Sequence, residues 1–89
     1  MRLDVFLKQS RLVKRRTLAK ELCDEGAVLV NGHPARAGRE LAMGDELTLE
    51  LGNRRLSVLV EALPERPLPA ARARELYRLV SDERRSELE

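Results

Sequence analysis

The stretch Arg15-Arg16-Thr17-Leu18-Ala19-Lys20-Glu21-Leu22-Cys23-Asp24-Glu25-Gly26-Ala27-Val28-Leu29-Val30-Asn31-Gly32 changes its hydrophobic period midway, and that change decides the fold class. Leu18, Ala19, Leu22 and Cys23 recur at spacings of three and four, the signature of one helix face. The spacing predicts a helix that starts near Arg15 or Arg16 and runs to Glu25, with Gly26 placed to end it as a left-handed cap. Ala27 to Val30 then reads as a short strand. Asn31-Gly32 reads as a hairpin turn, because both positions tolerate positive φ.

Working outward, Leu3, Phe6 and Leu7 predict a short helix over residues 2–9, with Ser10 and Arg11 as its exit. On the other side, residues 33–36 return as an edge strand, since Pro34 is incompatible with a central position. Met43-Gly44-Asp45 is a turn. Leu47, Leu49 and Leu51 alternate along one strand, Gly52-Asn53 reverses the chain, and Leu56, Val58 and Val60 alternate along the next. Pro64, Pro67 and Pro69 make a stiff linker, and Ala73, Leu76, Tyr77 and Val80 predict a final helix over residues 70–85. The expected fold is α+β: two N-terminal helices packed on a small, mostly antiparallel sheet, plus a C-terminal helix. The expected division is a domain over 1–63, a linker over 64–69 and a helix or tail over 70–89.

Charge is distributed unevenly. Met1 to Lys20 carries seven of the seventeen basic residues and one of the fifteen acidic ones, so the formal net charge of +2 hides a cationic end set against a mildly acidic remainder. Arg2, Lys8, Arg11, Lys14, Arg15, Arg16 and Lys20 are opposed only by Asp4. Such polarity suits a polyanion partner. Lys14, Arg15 and Arg16 fall at or just before the predicted start of the second helix, where free backbone N–H groups and the positive end of the helix dipole also favour anions. Arginine forks grip phosphate oxygens bidentately, and Lys14 adds a point charge. Arg11 and Lys8 extend this clamp along the first helix, Lys20 lies one turn beyond Arg16, and Arg2 opens the chain beside it. Asp4 either caps or pairs locally with Lys8, four residues on, or orients Arg2 or an RNA amino group. Asn31 and Gly32 either form the turn alone or bring backbone close to a nucleic-acid groove.

Other function classes find little support. Eighty-nine residues make one domain with a thin core. Cys23 is the only cysteine and reads as a small core residue, which fits a reducing, cytosolic environment. No apolar run is long enough to span a membrane, and no export signal is visible. His33, the only histidine, sits after a turn without serine, cysteine or carboxylate partners at a catalytic spacing. It is a surface loop residue or a minor RNA contact. No phosphate loop, metal-ligand cluster or cofactor fingerprint is present, so neither catalysis nor any cofactor or metal is expected. Phe6 and Tyr77 are the only aromatic residues, too few for a platform on which several bases stack. A nucleic-acid partner must be held as a shaped backbone, through charge and hydrogen bonds.

Arg2-Leu3-Asp4-Val5-Phe6-Leu7, Ser10-Arg11, Arg15-Arg16-Thr17-Leu18-Ala19 and Gly26-Ala27-Val28-Leu29-Val30-Asn31-Gly32 together resemble the S-four domain, the alpha-L RNA-binding motif. The likeness covers residues 2–50, and Gly44-Asp45-Glu46-Leu47 matches its usual turn into a strand. The resemblance implies two helices on a small sheet that bind structured RNA through the helix pair and its connecting loop. The family often rides on RNA-modifying enzymes, whose catalytic domains this length cannot hold, so the chain is similar to the stand-alone members. Of these, the block Leu12 to Lys20 and the short length resemble the ribosome-associated quality-control (RqcP-type) group more than the fifteen-kilodalton heat-shock group. That likeness implies a cytoplasmic, monomeric, non-enzymatic protein bound to rRNA and tRNA on large ribosomal subunits obstructed by peptidyl-tRNA. It would support C-terminal tailing of the stalled chain by a partner factor. Arg15 and Arg16 would grip rRNA, while Arg2, Asp4 and Ser10 would face tRNA or the same RNA. The alternatives are a general structured-RNA binder or ribosome-assembly factor, and a module that delivers RNA to a separate enzyme. DNA reading is disfavoured, because the second helix lacks a base-reading Asn or Gln.

Overall fold

The structure is a computed structural model that describes residues 1–84. Two helices, α1 (Leu3–Gln9) and α2 (Arg16–Asp24), precede four strands: β1 (Val28–Val30), β2 (His33–Pro34), β3 (Glu46–Leu51) and β4 (Arg54–Val60). A 3-10 helix (Ala70–Leu76) then leads into β5 (Tyr77–Arg84). The strands form one antiparallel sheet in the order β2-β1-β3-β4-β5.

Strict alternation builds the core. Val28 pairs with Leu49, Val30 with Leu47, Leu47 with Val58 and Leu49 with Leu56, so these side chains line one face of the sheet. Leu3, Phe6 and Leu7 of α1 and Ala19 and Cys23 of α2 close over that face, and all are buried. Fully burying a side chain such as Phe6 contributes about 1.5–3 kcal/mol, so this small set decides whether the domain folds. Leu18 departs from the expected helix face. It is 44% exposed, because the core-facing stripe of α2 is set by Ala19 and Cys23, one turn apart.

The turn chemistry is local. Asn31 and Gly32 have φ of 52° and 88°, the two positive values a tight hairpin between Val30 and His33 requires. Gly26, at φ 77°, ends α2 as its sequence position predicts.

The C-terminal segment differs from expectation. Its helix is a 3-10 helix confined to Ala70–Leu76, and residues 77–84, expected to continue it, form β5 instead. The expected helix end at Arg85 and the tail to residue 89 lie outside the described residues. Tyr77 and Leu79 satisfy a strand period as readily as Tyr77 and Val80 satisfy a helical one, and tertiary context arbitrates. β4 would otherwise present an unpaired edge; β5 pairs with it from Val60–Tyr77 to Arg54–Arg84. Leu76, fully buried, joins the core, and its carbonyl accepts the Glu61 N–H at 2.8 Å.

Candidate nucleic-acid interface

The first turn of α1 needs partners for its backbone donors, and a distant loop supplies them. The Leu3 N–H donates to the Arg39 carbonyl at 2.8 Å and the Asp4 N–H to the Ala37 carbonyl at 3.1 Å. Asp4 Oδ1 accepts the Val5 N–H at 2.8 Å. An acid in this turn also suits the helix dipole. The same loop packs against Arg2, whose guanidinium lies beside Gly38.

Asp4 is 2% exposed, and two arginines converge on it. Arg2 Nε donates to Oδ1 at 3.1 Å and Arg16 Nε donates to Oδ2 at 3.1 Å. Burial alone raises the Asp4 pKa, but the hydrogen bonds and charges of Arg2 and Arg16 outweigh it, and the carboxyl lies below its ordinary range. Each arginine side chain remains about half exposed, 49% for Arg2 and 56% for Arg16. A buried carboxylate thus orients two cations, Arg2 through Nε and a longer Nη2 bond at 3.4 Å and Arg16 through Nε, while both side chains stay partly open to solvent. Asp4 does not pair with Lys8. Arg2 and Arg16 lie closer to it, and Lys8 is exposed with no ion-pair partner among the described residues.

Arg15 is the N-cap residue immediately before α2. Its backbone is extended (φ −132°, ψ 145°), and no side chain caps the helix. The first-turn donors of α2 therefore open beside Arg15, Arg16 and Lys14. Lys14 and Arg15 are exposed and have no ion-pair partner among the described residues. Arg11 follows the end of α1 at φ 66°, a left-handed position where Gly is usual and another side chain costs about 1 kcal/mol. Lys20 has an exposed partner, Asp24, at 3.4 Å one turn along α2.

Two expected contact residues are hydrogen-bonded within the protein, Ser10 buried and Asn31 exposed. Ser10 is 1% exposed; its hydroxyl donates to the Leu7 carbonyl at 3.2 Å and accepts the Leu12 N–H at 3.4 Å, so it shapes the turn out of α1. The Asn31 side chain donates to Asp45 at 3.1 Å and accepts the Glu46 N–H at 2.9 Å, which ties its hairpin to the Gly44-Asp45 turn. His33 is exposed, with Nδ1 3.3 Å from the Asn31 carbonyl. Cys23 is buried, and that burial, with Asp4 and Asp24 nearby, pushes its thiol up to about 11, so it stays protonated and inert at neutral pH.

Sequence reasoning missed the loop that supports Arg2. Exposed Arg36 and Arg39 flank the backbone that receives the first turn of α1, and the bridge between Arg2 and Glu40 brings that loop alongside. Nothing in residue spacing signals a contact over more than thirty positions.

The S4 domain family model matches residues 1–47. The RQC P-site tRNA stabilizing factor of Bacillus subtilis is 42% identical over 87 residues, covering 98% of this chain and all of that protein. Heat shock protein 15 of Escherichia coli is 36% identical over 77 residues, 86% of this chain and 58% of that one. Among solved structures, trimeric heat shock protein 15 of Vibrio cholerae superposes with a TM-score of 0.82 at 30% identity, covering 91% of this chain and 82% of that one. The solution structure of the hypothetical protein HP1423 gives 0.78 at 32% identity, covering 93% of this chain and all of that one.

Proposed function

The chain belongs to the S4 domain family, and from that membership and the geometry of its cationic end we propose that it is a non-enzymatic, cytoplasmic RNA-binding protein of the translation machinery. Its target in this reading is the large ribosomal subunit obstructed by peptidyl-tRNA. It holds rRNA and the tRNA there while a separate factor extends the stalled chain. The observation that carries the reading is the convergence of Arg2 and Arg16 on buried Asp4, next to Lys8, Arg11, Lys14 and Arg15, which lack acidic partners among the described residues. Guanidinium groups fixed in direction on half-exposed side chains suit phosphate oxygens of a structured RNA better than a diffuse polyanion. The likeness to the Bacillus subtilis factor, spanning both chains almost entirely, supports the choice of target.

The test is co-sedimentation at physiological salt with small subunits, empty large subunits and large subunits carrying peptidyl-tRNA. Selective pelleting with the third, lost in the Arg15→Glu/Arg16→Glu double variant, is the expected result. Equal pelleting with all three would reduce the function to general structured-RNA binding.

A further inference from the structure

Helix cover over the sheet stops at β4. Leu79 of β5 stands beside Val58 in the sheet register, yet Leu79 is 53% exposed and Val58 is fully buried. Beyond the helices lies a cavity of about 510 Å³, open to solvent, with Leu12, Leu56, Tyr77 and Leu79 among its lining and with Arg11 and Arg74 beside them. Arg11 comes from the connection between α1 and α2, and Arg74 from the 3-10 helix, so two separate elements contribute a guanidinium to one recess of mixed polar and apolar lining.

The acid that would neutralise them is already engaged. A register shift opposite Ser57 and Val58 brings Asp82, rather than Ser81, level with Leu56, on the cavity side of the sheet. There Asp82 accepts two hydrogen bonds from Arg54, at 2.9 and 2.8 Å. Arg11 and Arg74 have no acidic partner among the described residues. The volume lies within the roughly 300–1,000 Å³ typical of small-ligand sites. Phe6 is sealed in the core, so Tyr77 is the one partly open aromatic ring among the described residues, enough for a single base.

We propose that this cavity receives one unpaired nucleotide of the bound RNA, its base against Tyr77 and Leu79 and its flanking phosphates on Arg11 and Arg74. The site rests on the RNA-binding reading above and extends the interface from the α1–α2 connection onto the edge of the sheet. Tyr77 with Leu12, Leu56 and Leu79 suits a base, two unpartnered guanidiniums suit phosphates, and Arg11 joins the recess to the cationic connection. An uncharged peptide occupant would leave those two cations without counter-charges.

The test uses the full chain and large subunits carrying peptidyl-tRNA, with sedimentation affinity and ultraviolet crosslinking as separate readouts. Arg74→Glu and Leu79→Asp are on different elements and both exposed, and thermal melts verify that each folds. Each is expected to weaken binding about tenfold, as loss of a stacked base or a phosphate contact does. Val80→Asp, with the same charge change at a neighbour outside the cavity lining, should change it less than about twofold. Crosslinking should leave a nucleotide adduct on Tyr77. Unchanged affinity in both variants, or a Tyr77 crosslink to a ribosomal protein, overturns the pocket and leaves the RNA reading standing. Failure of the wild-type chain to sediment overturns both.

Discussion

Arginines on the sheet side and on the helix side of this protein keep different company. Arg54, Arg55 and Arg72 each meet their own carboxylate, Asp82 at 2.8 Å, Glu50 at 3.2 Å and Glu75 at 3.0 Å. Arg2 and Arg16 share one, Asp4, while Lys8, Arg11, Lys14 and Arg15 have none among the described residues. Exposed pairs of the first kind contribute only about 0–1 kcal/mol each, but they cancel charge. Crowded cations of the second kind repel one another and lower stability unless a polyanion meets them. On the sheet side these three arginines are neutralised within the protein, while Arg74, Arg78 and Arg84 have no ion-pair partner among the described residues; on the helix side the unpaired cations crowd around the α1–α2 connection.

Charge reversal should expose that difference most strongly. Arg15→Glu/Arg16→Glu removes two charge-assisted contacts at about 1.5 kcal/mol each and should weaken binding to peptidyl-tRNA-bearing large subunits about 100-fold. Arg72→Glu, the same reversal on a paired arginine, should cost less than about threefold. Equal losses would mean that overall charge governs binding. A salt titration sharpens the contrast: about five phosphate contacts give a log–log slope of roughly −3.5 to −4.5, which Arg15→Ala should make shallower by about 1 and Arg72→Ala should leave alone.

Arg11 gives a smaller effect whose two parts have opposite sign. Arg11→Gly relieves a left-handed backbone and should raise stability by about 1 kcal/mol in a denaturant titration, while weakening RNA binding several-fold. A variant that gained stability and kept full affinity would remove Arg11 from the interface.

The acid limb of stability gives the smallest effect. Asp4 has a folded-state pKa below its ordinary value of about 3.9, so the stability it supplies is complete above that value and is lost as pH falls through the folded one. Melting of wild type and Asp4→Asn should therefore converge as the solution is acidified. Parallel curves down to the lowest pH would mean that the two arginines do not stabilise the charged carboxylate.

The helix pair and the first four strands were legible because their signals are local: a change of hydrophobic period at Gly26, a positive-φ pair at Asn31-Gly32, and leucines alternating on β3 and β4. The C-terminal strand was not, because Ala73, Leu76, Tyr77 and Val80 fit a helical face and only the open edge of β4 overrides it. At the candidate site, the cationic cluster and its position at the start of α2 could be read from spacing. The Asp4 partnership could not be settled that way: Lys8 is a helix neighbour at the right interval, whereas Arg16 arrives through tertiary packing. Ser10 looks like a polar contact in one dimension and is a buried turn-former in three.

Asp4→Asn tests the oriented clamp most directly, because it separates direction from charge. The substitution adds one unit of positive charge to an already cationic surface while removing the carboxylate that aims Arg2 and Arg16. Affinity for large subunits carrying peptidyl-tRNA, measured at physiological salt on protein shown to be folded, should fall about tenfold, the loss expected from roughly one charge-assisted contact. Binding as tight as wild type, or tighter, would contradict the clamp and leave net charge as the source of affinity.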